Sequence, residues 1–470
     1  MTPPTLTTSP AHSGTSHSGP SHSATSHSGT SHSATSHSGT SPCALPGTPL
    51  QQAAAGLDAC VHCGFCLQAC PTYVNLEDEN ESPRGRLVLM RRMLDGEIAL
   101  DDPDVAQHLD RCLGCRACET ACPSGVPYGE LLEATRATMA PVRGTPLVAK
   151  LVLTVFRHHI LLRAVLTGAR LFRATGLPRL LARLVPRRLG FPLAMLASSA
   201  PARLRRGSRA ATTAGSPSRT GESPGAPVTL LEGCVMSGLF AHVNDATTHA
   251  LSHNGFTSCT TRGQRCCGAL HAHAGDLESA RALARENIVA FERTFASAPD
   301  AVVAVNAAGC GAMLKQYGHL LHDDPPFAER AQRLSDRTRD VSELLASVGP
   351  VAGTRALDQR VTHDPPCHQM HAQRIERPPR QLLAAIPGID LVPLEDADQC
   401  CGSAGIYNLV EPDTSDAVLA PKLARILESH AEVVATGNPG CLMQLGAGLL
   451  LERSEVKAVH PVELLAASYE

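Results

Sequence analysis

Tryptophan is absent from the 470 residues, and 5 Tyr and 9 Phe are the only phenyl-type rings. So few aromatics cannot build the stacking platforms that hold single-stranded nucleic acid, and no nucleic-acid partner is expected. Acidic residues are missing from one long stretch: none lies between Glu133 and Glu222, where 16 Lys and Arg fall. The formal charge of -3 is therefore a cancellation, since the rest of the chain sets 25 basic against 44 acidic residues, about -19. No run of 18 apolar residues occurs, which argues against a membrane-spanning helix. The opening MTPPTLTTSP has no basic n-region and no apolar core, so secretion and structural disulfides are not expected and a cytoplasmic location is. Neither G-x-G-x-x-G nor G-x-x-x-x-G-K-S/T is present, so no dinucleotide turn or P-loop is signalled.

Cysteine is what the chain has in excess: 18, in clusters. The first is Cys60-x-x-Cys63-x-x-Cys66-x-x-x-Cys70-Pro71 and the second Cys112-x-x-Cys115-x-x-Cys118-x-x-x-Cys122-Pro123. Three closely spaced thiolates wrap one iron-sulfur cubane, and in two-cluster ferredoxins the fourth, before Pro, ligates the other. The spacing therefore assigns Cys60, Cys63, Cys66 and Cys122 to one 4Fe-4S centre and Cys112, Cys115, Cys118 and Cys70 to a second. Zinc also takes four thiolates, so a non-redox zinc scaffold is the bland alternative.

Residues 227–470 carry a duplication. Cys234, Cys266, Cys267 and Cys310 have counterparts Cys367, Cys400, Cys401 and Cys441 at nearly equal offsets. Short β-rich runs such as VTLLEG and AVVAVN alternate with helical segments, which predicts an α/β domain repeated twice with its cysteines in loops at strand ends. Adjacent cysteines do not readily pair with each other but can both bind a metal cluster, so a further cluster and a structural role both stay open. The expected architecture is multidomain: a repetitive tail (1–50), an α-helical two-cluster ferredoxin domain (51–140), a basic leucine-rich connector and linker (141–226), and two α/β cysteine-rich CCG domains (227–350 and 351–470).

The tail repeats T-S-H-S-G/A, with His at 12, 17, 22, 27, 32 and 37, and reads as a solvated, disordered segment rather than a metal site; Cys43 there reads as a free thiol. In the connector, Arg143, Lys150 and Arg157, and separately Arg163 and Arg170, are spaced by seven, which predicts basic faces on amphipathic helices interrupted at Pro178, Pro186, Pro192 and Pro201. Membrane contact, docking to an acidic partner and a plain linker compete there. His363, His368 and His371 are expected to hydrogen-bond cysteine ligands or pack loops, and Cys259 to be buried.

Two ferredoxin runs followed by two CCG domains, with Ser82-Pro83-Arg84-Gly85-Arg86, Cys400-Cys401-Gly402-Ser403-Ala404-Gly405-Ile406-Tyr407-Asn408, Asn438-Pro439-Gly440-Cys441 and His460-Pro461-Val462-Glu463, resemble the iron-sulfur subunit of glycolate oxidase over residues 51–470. The resemblance implies an electron-transfer subunit of an oxidoreductase acting on CH-OH with a non-NAD acceptor. FAD and substrate oxidation, glycolate to glyoxylate, would lie on partner 2-hydroxy-acid oxidase subunits. Electrons would pass to a membrane acceptor such as quinone, with the chain peripheral on the inner face. Iron-sulfur subunits of anaerobic glycerol-3-phosphate dehydrogenase or of a lactate-oxidising complex share the module order. One departure stands out: the wider CCG pattern closes with Cys-x-x-Cys, whereas Met313 and Gln444 occupy that last position here.

Overall fold

The computed structural model describes residues 45–204 and 225–469; the His/Ser repeat, Cys43 and most of the expected linker lie outside the described residues. Residues 45–143 are built from helices and cysteine loops. Pro71, Pro83 and Pro103 each open a helix (Pro71–Leu76, Pro83–Leu94, Pro103–Asp110) at its first position, where the missing N–H is not needed. Ser82 caps the second, accepting from the Gly85 N–H at 2.9 Å, and Asp102 caps the third. Leu87, Met90, Met93 and Leu94 turn one face of Pro83–Leu94 into the core beside Leu109 and Leu131. Each such side chain contributes about 2 kcal/mol on burial.

The long helix Tyr128–Arg143 ends at Gly144, and the next, Leu147–Arg157, leaves at 113° to it. Arg143 therefore does not share a face with Lys150 and Arg157, because the seven-residue spacing crosses a corner. His159–Ala174 does carry Arg163 and Arg170 together. Pro192 does not break the connector: it lies inside the helix Arg187–Ser198, whose packing against Pro439–Leu451 compensates for the lost backbone bond. Gly446 permits that approach, since a Cβ there would stand 2.6 Å from the Cβ of Ser198.

Two four-stranded parallel sheets follow. Strands β1 (Gly225–Leu230), β2 (Phe256–Cys259), β3 (Val302–Val305) and β4 (Thr338–Asp340) lie in the order β2-β1-β3-β4. Strands β5 (Gln359–His363), β6 (Ile389–Val392), β7 (Val433–Ala435) and β8 (Lys457–Val459) repeat it as β6-β5-β7-β8. Val228 pairs with Val302 in the first sheet as Val361 pairs with Val433 in the second. The duplication read from cysteines is thus a duplication of fold, with helical crossovers covering parallel strands. One apolar core joins both sheets, from Val228 and Val243 to Val361 and Val433.

Candidate iron-sulfur centres

The two ferredoxin-type loops have one backbone shape. Positive φ occurs at the second and fourth residues after the first cysteine in each: His62 (54°) and Gly64 (86°), then Gly114 (61°) and Arg116 (64°). Left-handed residues in such a loop turn successive amides towards its inside, as an anion-holding nest requires. Cys60, Cys63, Cys66 and Cys122 border one small void, of about 30 Å³, and Cys70, Cys112, Cys115 and Cys118 border another, of about 10 Å³. The fourth cysteine of each run thus reaches across to the other run's loop. Cys118 borders both voids.

These donors suit a cluster better than an ion. All described cysteines are free thiols. Among the described residues no three His, Cys, Asp or Glu side chains converge closely enough to hold a single metal ion, whereas zinc would draw its sulfurs to about 2.3 Å from one centre. Burial pushes the Cys115 and Cys118 thiols well up, so a cationic group must supply the charge that keeps them thiolates. The Gly114 N–H and the Tyr128 hydroxyl donate to Cys112 Sγ at 3.5 and 3.6 Å.

Arg86 is the site residue whose role sequence reasoning missed. Its guanidinium, fully buried, pairs with Glu81 Oε2 at 2.6 Å, donates to Thr72 Oγ1 at 3.0 Å and to His108 O at 2.7 Å, and stands 3.9 Å from Cys70 Sγ. Burial alone favours its neutral form, but Cys112, Tyr128, Cys70 and Glu81 hold it firmly charged. Glu81 is shared with His108 (2.8 Å) and Arg111 (2.9 Å). Glu81, five positions before Arg86 in a segment rich in carboxylates, was the available signal.

In the α/β halves every repeat cysteine lies beyond the carboxyl end of a strand: Cys234 and Cys367 after β1 and β5, Cys266-Cys267 and Cys400-Cys401 after β2 and β6, Cys310 and Cys441 after β3 and β7. That is where open parallel sheets bind ligands. Cys234 and Cys266 Sγ lie 3.6 Å apart, Cys267 and Cys310 Sγ 3.4 Å. Gly268 and Gly402 follow the paired cysteines at φ of 90° and 84°, and a Cβ on Gly402 would meet Ser415 O at 2.6 Å. Gln444 and Met313 offer no fifth ligand. Gln444 is wholly buried, its amide accepting from Asn408 at 2.8 Å and donating to Ser415 Oγ at 2.9 Å, while Met313 is core.

Both sets of repeat cysteines, with Cys112 and Cys115, line one apolar cavity of about 740 Å³. His368 Nε2 and Ser403 Oγ, both beside it, are buried without a partner among the described residues. Such orphaned polar atoms next to Cys367 and Cys401 fit a bound polar group there. The second half also abuts the ferredoxin-type region: Cys115 packs with Cys367 and Cys400, and the Tyr407 hydroxyl donates to Arg111 O at 2.8 Å. Beneath it, the buried Lys422 ammonium lies 3.1 Å from Asp364 and donates to Asp396 O. The halves are tied together by Asn438, which accepts from the Gly309 N–H at 3.2 Å and donates to Cys441 Sγ at 3.5 Å.

The histidines near Cys367 do not hydrogen-bond the cysteines. His371 bonds Thr120 Oγ1 (2.6 Å) and Asp398 O (3.2 Å), His368 stacks on His273, and His363 is buried at the end of β5. Burial pushes His363 down to about 4 and His368 down to about 3, so both are neutral loop-packing residues at physiological pH. Cys259 is half-buried rather than buried, because β2 is an edge strand; its thiol donates to Val228 O.

Comparison with known proteins agrees with this layout. Residues 56–126 match the family model of the 4Fe-4S dicluster domain, and residues 228–315 and 361–446 that of the cysteine-rich CCG domain. The probable glycolate oxidase iron-sulfur subunit of Bacillus subtilis (strain 168) is 37% identical over 422 residues, 86% of this chain and 92% of that protein. The glycolate oxidase iron-sulfur subunit of Escherichia coli (strain K12) is 32% identical over 423 residues, 89% and 96% of the two. The chain belongs to the glycolate oxidase iron-sulfur subunit family. Its ferredoxin-like region and two parallel-sheet CCG domains are the modules of that family. Lactate utilization protein A of Oceanobacillus iheyensis is also similar, 30% identical over 239 residues, but these cover 51% of this chain and 96% of that protein.

Proposed function

We propose that this chain carries electrons from a partner FAD-binding subunit, which oxidises glycolate to glyoxylate, to a membrane acceptor such as quinone. In this reading Cys60, Cys63, Cys66 and Cys122 hold one 4Fe-4S cluster and Cys70, Cys112, Cys115 and Cys118 the other. The observation that carries it is the reach of each run's fourth cysteine to the other run's loop, the two loops having left-handed residues at the same two positions. Bound clusters would supply one-electron steps, two of which drain a two-electron flavin. The chain's own groups do the rest: thiolates anchor, the Gly114 amide and Tyr128 hydroxyl orient Cys112, Arg86 supplies a buried positive charge, and the surrounding apolar core excludes water.

Cys234, Cys266, Cys267 and Cys310, and Cys367, Cys400, Cys401 and Cys441, are the candidates for a further cluster. The second set is favoured by the orphaned His368 and Ser403 atoms and by its contact with Cys115. Anaerobic purification with iron and sulfide counting tests the scheme: about eight iron per chain fits two cubanes, more than that measures what the CCG cysteines hold, and zinc without sulfide overturns it. A 2-hydroxy-acid panel on the copurified complex then separates glycolate from lactate, and glycerol 3-phosphate tests the remaining alternative. The glycolate reading is favoured because its relatives match nearly the whole chain.

A further inference from the structure

The connector helices Leu147–Arg157, His159–Ala174 and Leu177–Leu181 are amphipathic segments whose apolar residues largely face outward. Ala149 and Leu153 are the only buried residues of the first, and Leu162 of the second. Of the 21 exposed large apolar side chains among the described residues, twelve fall between Leu147 and Leu189, and the most exposed of all is Leu147, at 86%. A patch of that density on an otherwise ordinary surface marks a docking face.

Charge selects the occupant. Four of the connector's cations are paired within the chain: Arg143 with Asp110, Arg157 with Glu286, Arg187 with Asp416 and Arg188 with Asp413. Lys150, Arg163, Arg170, Arg179 and Arg183 are exposed, and no described carboxylate lies within ion-pair distance of them. Unpaired cations set among exposed Leu, Ile and Val, with no acidic residue in the segment, match the two layers of an anionic bilayer surface: phosphates outside, acyl chains beneath. The exposed large apolar side chains of this patch are Leu, Ile and Val apart from Phe172, and Leu and Val are under-represented among protein-interface hot spots. No single helix among the described residues is long and apolar enough to cross a membrane; the pair Tyr128–Arg143 and Leu147–Arg157 has the length and composition but is bent by 113°.

We infer that residues 147–189 seat this chain on an anionic lipid surface, the aliphatic side chains entering the acyl boundary and the five free cations meeting lipid phosphates. The inference deepens the proposed delivery of electrons to a membrane acceptor and rests on that reading for its purpose. Leu147, Val148, Val152 and Phe156 of the same first helix also wall the 740 Å³ cavity that ends on the repeat cysteines. Lipid seating would therefore bring a bilayer-dissolved apolar acceptor to the outside of that wall.

The test is co-sedimentation of the full-length, cluster-loaded chain with phosphatidylcholine vesicles, with and without about 30 mol % phosphatidylglycerol, at low and high salt. Binding is expected only to the anionic vesicles and to weaken with salt. Two triple variants at exposed positions, L151E/I160E/L171E and K150Q/R163Q/R170Q, should each lose about tenfold in vesicle partitioning. V348E/L427E, at exposed apolar positions outside both the connector and the cysteine loops, should bind as the parent does. A parent chain that stays in the supernatant overturns the inference, as do triple variants that bind like V348E/L427E. So does loss of flavoprotein copurification, instead of vesicle binding, in the triple variants, which would make the patch a protein interface. Dye reduction by the flavoprotein through the chain is read in parallel. If it persists while vesicle binding fails, only the lipid seating falls; if it fails while vesicles bind, the electron-transfer reading falls.

Discussion

Replacing Glu463 with Gln should make the protein more stable at pH 8 and leave it unchanged near pH 4.5. Burial pushes the Glu463 carboxyl up to about 7 from an ordinary 4.5, although it accepts from the His460 N–H at 3.0 Å. His460, three residues earlier, is pushed the opposite way: burial takes it down to about 4 from 6.5. Its Nδ1 accepts from the Val462 N–H at 3.1 Å, so its neutral ring carries the proton on Nε2 and donates it to Asn306 O at 2.9 Å. His242 Nε2, at 3.4 Å from Glu463 Oε1, is also held neutral by burial and so does not offset the carboxylate's cost. A carboxyl with a raised folded-state pKa contributes stability that is present below about 4.5 and lost as pH rises through about 7. An imidazole with a lowered pKa contributes stability present above 6.5 and lost as pH falls through about 4.

Between pH 4.5 and 6.5 the folded pair binds one proton, on Glu463, and the unfolded pair binds one, on His460, so their slopes cancel. Each separate contribution spans 2.5 pH units, or about 3 kcal/mol. E463Q, which keeps an oxygen for the His460 N–H, should therefore gain about 3 kcal/mol over the parent at pH 8 and lose that gain on acidification. H460Q should shift the other way, improving relative to the parent as pH falls from 7 to 5. Anaerobic thermal unfolding of parent and variants across pH 4.5–8 reads the differences, in which cluster loss common to all samples drops out. Parallel pH profiles for the parent and both variants would refute the linkage.

Three other outcomes follow from the site. R86M removes a unit charge 3.9 Å from Cys70 Sγ, worth up to about 4 kcal/mol at an effective dielectric near 20; with half of that felt by a delocalised centre, the midpoint of one cluster should fall by about 90 mV in a potentiometric titration. The same variant should lose about 3 kcal/mol of stability, since Glu81 keeps Arg111 and His108, whereas R86K should lose stability with little change in midpoint; an unmoved midpoint in R86M would remove Arg86 from the redox site. C63S and C115S should each abolish electron flow to acceptor while the partner flavin is still reduced by substrate, and normal acceptor turnover in both would defeat the ligand scheme.

What could be read in the sequence was whatever is local or repeated. The ferredoxin-type runs are short-range patterns, and their loop shape follows from residues two and four places after a cysteine. The twin sheets could be read because four cysteine offsets repeat and strands such as β3 and β7 are short valine-rich runs. Contacts between distant segments leave no such trace: the Arg86 guanidinium donating to His108 O, His460 donating across 154 positions to Asn306, and Asn438 joining Gly309 to Cys441 are set by how separate segments meet. The corner after Arg143 is different, because its signal was present. Gly144 stands at φ of 74° and Pro146 disfavours helical geometry at Thr145, so a seven-residue charge spacing that crosses Gly-Thr-Pro does not describe one helical face. Once the helix turns there, Lys150 and Arg163 lie on exposed surface while Arg143 is tied to Asp110. The basic segment thus divides into cations that hold the fold together and cations that are free to meet something else.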